Sequence, residues 1–280
     1  MKGKRITING KSIYVCVKGE GEPIIFLHGG PGGSLDYFLP HMNPLAEDYQ
    51  IILYDQTGCG KSGGDTYSIE EEIYTIEGIR KALNLEKVTL LGESWGSILA
   101  LSYAAKYPSH IHNIILTAAI GLSSKDYVTF KKVFLQKLGP YKKMLLGYYS
   151  LSSIFGVDVS RRLDNLIDPY YVYSVETLKN KKEIRFNKEA LHNIGRDIEQ
   201  NYNLFPLLFQ IESLPILIAQ GAFDILPPAY IQENVIPYLK SAELVEVKGS
   251  GHWTILEQPE EVLALTRSFM SGGKVESRWI

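Results

Sequence analysis

The chain opens on two stretches in which apolar and polar residues alternate. Arg5-Ile6-Thr7-Ile8 and Ser12-Ile13-Tyr14-Val15-Cys16-Val17 each read as a strand with one wet face, and Asn9-Gly10 between them is a hairpin turn signal. The pattern then changes. Ile24-Ile25-Phe26-Leu27, Ile51-Ile52-Leu53-Tyr54, Val88-Thr89-Leu90-Leu91, Ile114-Ile115-Leu116 and Ile216-Leu217-Ile218-Ala219 are short, nearly unbroken apolar runs. Strands buried on both faces look like this. Leu244-Val245-Glu246-Val247 alternates again and belongs nearer a sheet edge. Between these runs the period becomes helical. Ser68 and Glu71 form a capping box ahead of Ile69, Ile73, Ile76 and Ile79. Residues 95–106 are rich in Ala and Leu and stop before Pro108. Residues 228–239 and 258–270 read as further helices. Strands alternating with helices predict an α/β fold, a mostly parallel central sheet with helices on both faces.

From about 121 to 212 this rhythm breaks. Buried-strand runs disappear, and short amphipathic helices around 126–138, 160–168 and 187–200 are the best reading. The economical account is one core, residues 1–120 and 213–280, interrupted by a helical cap at 121–212. The last ten residues, with Ser271-Gly272-Gly273, read as a frayed tail.

Composition narrows the class. Apolar residues at 45% and charged residues at 21% suit a globular chain with a large core. A net charge of -2 lacks the basic excess of a nucleic-acid or anionic-membrane binder, so neither partner is expected. Cys16 and Cys59 are too few for a disulfide framework or a Cys-rich zinc site. No apolar run has the length of a membrane span, and the N-terminus has no h-region, so the expected compartment is the cytoplasm. Oligomeric state is not legible.

The chemistry concentrates where apolar runs end. Gly92-Glu93-Ser94-Trp95-Gly96 follows a strand and opens a helix, the context of a nucleophile elbow. A serine hydroxyl needs a base. Of six histidines, His252 in Gly249-Ser250-Gly251-His252-Trp253 lies on a loop after a strand. His110 and His112 flank a strand start at the opposite end of the sheet, and His41 and His192 fall in expected helices. An imidazole acting as base needs an acid to hold its tautomer. Asp224 lies just beyond the strand at 216–219, whereas the competing position after 114–117 holds Ala118-Ala119. A turn aspartate is ordinary by itself, but the order Ser94, Asp224, His252 gives it a role. His28-Gly29-Gly30-Pro31-Gly32-Gly33 can aim backbone N–H groups at a developing oxyanion. Gly30 and Trp95 are the expected donors, with Gly29 as a substitute for Gly30, and a cis bond before Pro31 is one way to make the turn tight. Asp55-Gln56-Thr57-Gly58-Cys59-Gly60-Lys61-Ser62 imitates a phosphate-binding loop, but Asp55 stands where that motif requires glycine. No metal or organic cofactor is called for.

These motifs resemble the α/β-hydrolase superfamily over nearly the whole chain. More narrowly, the loops at 28–33 and 55–62 and the elbow at 92–97 are similar to those of the prolyl iminopeptidases. The resemblance implies a serine peptidase that releases an N-terminal residue, often proline, from short peptides. Thr57 stands where that family usually has Arg, and Glu93 where it usually has Gly. The family grips the substrate amine with cap glutamates in Trp-rich contexts, yet no Trp occurs between Trp95 and Trp253. Glu176, Glu183, Glu189 and Glu199 are open candidates for that grip. Tyr141, Tyr148, Tyr149, Tyr170, Tyr171 and Tyr173 are candidates to line the pocket. Two alternatives remain open: an esterase or lactonase for small acyl esters on the same fold, and a non-catalytic binding protein derived from it.

Overall fold

The computed structural model describes residues 3–273. β1 (Lys4–Ile8) and β2 (Lys11–Lys18) form the expected hairpin, with positive φ at both Asn9 and Gly10 as a two-residue turn of this hand demands. β2 runs antiparallel to β4 (Gln50–Tyr54). All remaining neighbours are parallel, through β3 (Pro23–Leu27), β5 (Val88–Glu93), β6 (Ile111–Thr117), β7 (Ile216–Gly221) and β8 (Ala242–Val247). The strand order is β1-β2-β4-β3-β5-β6-β7-β8, which puts the alternating β8 at the edge.

Successive side chains of the central strands point to opposite faces, and each face has its own core. Ile25, Leu27, Leu90, Ile114 and Leu116 pack beneath α1 (Ile69–Ala82), α2 (Trp95–Lys106) and α8 (Pro228–Asn234). Ile24, Phe26, Leu91, Ile115 and Leu217 pack beneath 3-10 turns at 35–47, α9 (Thr254–Glu257) and α10 (Pro259–Met270). The apolar runs are continuous because both faces are covered.

Between β6 and β7 lie α3 (Ser124–Lys137), α4 (Pro140–Ile154), α5 (Ser160–Ile167), α6 (Lys188–Asn201) and α7 (Leu208–Ile211). The segment leaves and re-enters through a neck. Ser123 and Asn203 form a β-bridge, the Ser124 N–H donates to the Tyr202 carbonyl at 2.7 Å, and the Leu204 N–H donates to the Leu122 carbonyl at 2.9 Å. The Asp126 carboxylate accepts the N–H groups of Leu122 and Ser123 and is itself bonded by the Tyr230 hydroxyl, which ties the neck to the core. Phe130, Phe134, Ile194 and Ile198 join the same cluster as the sheet, so the insertion packs on the core.

Several local expectations change. The helix expected over 228–239 stops at Asn234, with a 3-10 turn at 236–238, because Pro237 has no N–H and its ring clashes with a preceding carbonyl. The helix expected from 258 starts at Pro259, after a separate turn of helix at 254–257, since a residue before proline avoids the α region. His41 lies in a turn, not a helix. The one cis bond among the described residues is Leu39–Pro40, so the bond before Pro31 is trans. The frayed tail falls largely outside the described residues. No helix among them is long and apolar enough to cross a membrane.

Candidate active site

The elbow is built by two close approaches. A Cβ on Gly92 would lie 2.2 Å from the Gly96 carbonyl oxygen, and one on Gly96 would lie 2.0 Å from that of Leu27. Only glycine lets β5 turn so sharply into α2 beside β3. The turn leaves Ser94 at φ 55° and ψ -117°, a region that costs a non-glycine residue roughly 1–3 kcal/mol and is held by the surrounding sheet and helix.

The structure brings Ser94, His252 and Asp224 together. The Ser94 Oγ is 2.9 Å from His252 Nε2, and His252 Nδ1 is 2.8 Å from Asp224 Oδ1. With the ring proton on Nδ1, the serine hydroxyl donates to Nε2 and the imidazole donates to the carboxylate. His252 and Asp224 are buried. The loop that carries His252 is gripped by the insertion, because the His252 and Trp253 N–H groups both donate to the Tyr171 carbonyl. The Glu257 carboxylate completes the grip by accepting N–H groups of Gly251, Tyr173 and Ser174. Rings of Phe130 and Tyr171 flank the imidazole at 4.9 and 5.3 Å between centroids and limit its contact with water.

Gln220, at the carboxyl end of β7, is a part that sequence reasoning missed. Its amide donates to Asp224 Oδ2 at 3.0 Å and to the Leu226 carbonyl at 2.8 Å, and accepts the Ala119 N–H at 2.8 Å. The signal was present, since a glutamine within a doubly buried strand must find partners.

The glycine loop closes on itself through a Gly33 N–H to Gly30 carbonyl bond, with Gly30 at φ 51°. Beneath it His28 is buried, and desolvation pushes it down to about 4, so the ring is neutral. Its Nε2 accepts the Gln56 N–H. The Gln56 side chain then donates to the His28 carbonyl and accepts from the Trp95 indole at 2.8 Å. The loop that imitates a phosphate site therefore braces the glycine loop against the elbow. Asp55 in that loop accepts N–H groups of Leu35 and Lys61, so its carboxylate is committed. Trp95 is the first residue of α2, and its N–H has no acceptor within the helix.

A cavity of about 350 Å³ opens on Ser94 and His252, lined on the core side by Gly29, Gly30, Trp95 and Tyr37. The insertion contributes mainly apolar groups, among them Phe130, Leu163, Ile167, Ile184 and Phe186. Of the six tyrosines considered, only Tyr171 lines it, whereas Tyr127 and Tyr37 also do. None of Glu176, Glu183, Glu189 and Glu199 lines it. Glu176 pairs with Lys179 and Glu199 with Lys131. The insertion carboxylates that do line it are Asp164 and Asp168, with Lys181 between them at 3.6 and 2.5 Å. Burial pushes Asp168 up to about 6 despite that ammonium. Lys181 also lies over the Trp253 ring at 4.8 Å.

Comparison with known proteins agrees with this architecture. The family described as alpha/beta hydrolase fold matches residues 22–259. A proline iminopeptidase of Saccharolobus solfataricus is 28% identical, over 96% of this chain and 94% of its own. One from Heyndrickxia coagulans is 31% identical, over 90% of this chain and 92% of its own. Among solved structures, an alpha/beta fold family hydrolase from Bacillus anthracis str. Sterne superposes with a TM-score of 0.78 at 22% identity, covering 96% of this chain and 99% of that one.

Proposed function

The chain belongs to the α/β-hydrolase family, and on that premise we propose that it is a serine hydrolase acting through Ser94, His252 and Asp224. The observation that carries this reading is the pair of contacts made by one imidazole, 2.9 Å to a strained serine and 2.8 Å to a buried aspartate. His252 takes the Ser94 proton as the oxygen attacks an acyl carbon, and the Asp224 carboxylate stabilises the imidazolium that forms. The N–H groups of Gly30 and Trp95 stabilise the oxyanion, each worth about a hundred- to thousandfold in rate. Collapse of the tetrahedral intermediate passes the proton to the leaving group and leaves an acyl-Ser94. Water then repeats the sequence and frees the acid. Residues 121–212 serve as the cap that shapes the acyl pocket.

Relatives named proline iminopeptidase support a peptidase releasing N-terminal proline or another small residue from short peptides. One observation favours an esterase or lactonase instead: Asp164 and Asp168, the insertion carboxylates that face the cavity, are both already paired with Lys181. A panel of a proline arylamide and short acyl esters separates the two. Release of proline supports the peptidase, and turnover of esters alone overturns it. Ser94→Ala should lower turnover of every substrate by about a millionfold while the melting temperature stays within a few degrees. Full turnover by that variant removes the serine mechanism.

A further inference from the structure

α4 differs from the other helices of the protein in that none of its described side chains is buried. Its composition is not that of a solvated helix. It holds three tyrosines, three leucines and a methionine, and Lys142 and Lys143 are its only charged residues. A helix apolar all round is ordinarily covered by something. On its outer side Tyr141, Met144, Tyr148, Leu151 and, just beyond its end, Phe155 follow at intervals of three and four, so they form one stripe, 55–78% exposed. Together they present roughly 500 Å² of apolar surface, at the upper end for a soluble monomer.

Charge decides what fits the stripe. Fourteen basic and ten acidic residues fall between 121 and 212, so this segment carries +4, and the rest of a chain of net -2 carries -6. The cations gather around α4. Lys137 precedes it and Lys142 and Lys143 open it. Arg161 and Arg162 are exposed on the adjoining α5, and Lys188 donates to Ser153 of α4 at 2.8 Å. Asp158, beside Lys188 and Arg185, is the acid between α4 and α5. Two copies docked stripe to stripe would press two +4 segments together. A bilayer containing anionic lipid satisfies both the apolar stripe and its basic flanks.

We propose that the α4 face is a peripheral docking surface for an anionic membrane. Tyr141, Met144, Tyr148, Leu151 and Phe155 enter the interfacial layer, and Lys143, Arg161 and Arg162 meet the headgroups. The near-neutral total charge conceals this surface because the two signs are segregated. Lys188 both bonds Ser153 of α4 and lines the cavity. The docking does not depend on the serine chemistry.

Sedimentation of the full chain with vesicles of phosphatidylcholine plus about 30% phosphatidylglycerol tests it, with phosphatidylcholine alone as the comparison. The protein should bind the anionic vesicles, and raising salt from about 0.1 to about 0.5 M should weaken that binding several-fold. Tyr148→Ser with Leu151→Ser should lower partitioning at least about tenfold. Arg161→Gln with Arg162→Gln should lower it about thirtyfold on anionic vesicles and leave the neutral ones unchanged. Both pairs lie on exposed positions and should melt as the parent does. Ser94→Ala should bind like the parent, so loss of activity and loss of docking are read separately. Absence of vesicle binding overturns the proposal. So does a vesicle-free dimer that Leu151→Ser dissociates, which would assign the stripe to a second copy.

Discussion

A carboxyl group stripped of water with no partner to replace it keeps its proton. Glu93, immediately before Ser94, is 1% exposed, and the Tyr37 hydroxyl and the Ile255 and Thr254 N–H groups nearest its carboxyl do not reach hydrogen-bonding geometry. Burial pushes it up to about 8, and the charge of Asp224 adds to this against the opposing pull of Tyr37 and the Ile255 and Thr254 N–H groups. Because the folded value lies above the unfolded one near 4.5, folding takes up a proton between them. The neutral acid's contribution is full below about 4.5 and is lost as pH rises toward about 8, at about 1.4 kcal/mol per pH unit. Glu93→Gln should therefore gain stability over the parent as pH rises from 5 to 8, by a few kcal/mol in denaturant titrations. Parallel curves for the two proteins would mean that Glu93 ionises freely. Ser94, Asp224 and His252 could be read from the chain because each follows a strand end, where backbone topology alone fixes the neighbourhood. The surroundings of Glu93 could not, since they depend on what packs against the sheet from α9 and the 3-10 turns. Among the insertion carboxylates the chain left Glu176, Glu183, Glu189 and Glu199 open, and the structure turns Asp164 and Asp168 to the cavity instead, because sequence spacing does not say which side of a short helix faces inward.

Among the elements, α6 begins where the insertion meets the core. The Asn187 side chain caps it by accepting the Glu189 and Ala190 N–H groups. Its amide donates to the Gly58 carbonyl at 2.7 Å and to the Tyr67 hydroxyl at 3.1 Å, and its backbone N–H donates to the Gly32 carbonyl. One residue thus starts a helix and holds it to the glycine loop. Asn187→Ala should cost about 1–2 kcal/mol from the cap and raise KM more than it lowers kcat, because the triad itself is untouched. A drop in kcat with KM unchanged would place its effect on the chemistry instead. The β-strands were legible as runs, and so were α3, α5 and α6, whose apolar residues keep to one side. α4 escaped because Leu145, Leu146 and Tyr149 lie between the members of its outer stripe and blur the period that the stripe alone would show.

At the scale of the molecule, burial and charge are both graded from sheet to insertion. Every residue of β5 and β7 is buried, whereas no described side chain of α4 is. Local opening follows such gradients. Hydrogen exchange should find the β5 and β7 amides protected at the level of global unfolding and those of α4 exchanging at least about a hundredfold faster. Equal protection in both would mean that α4 opens only with the whole protein.

The neck has a consequence of another kind. Because Ser123 pairs with Asn203, the two ends of the intervening chain lie as close as adjacent strands. The stretch between them is a cassette. It can be exchanged for another of different length or chemistry by rejoining two neighbouring backbone points, without altering the order or register of a single strand. A replacement would still have to offer the carbonyl that Tyr171 gives the His252 loop and the hold that Asn187 keeps on the glycine loop.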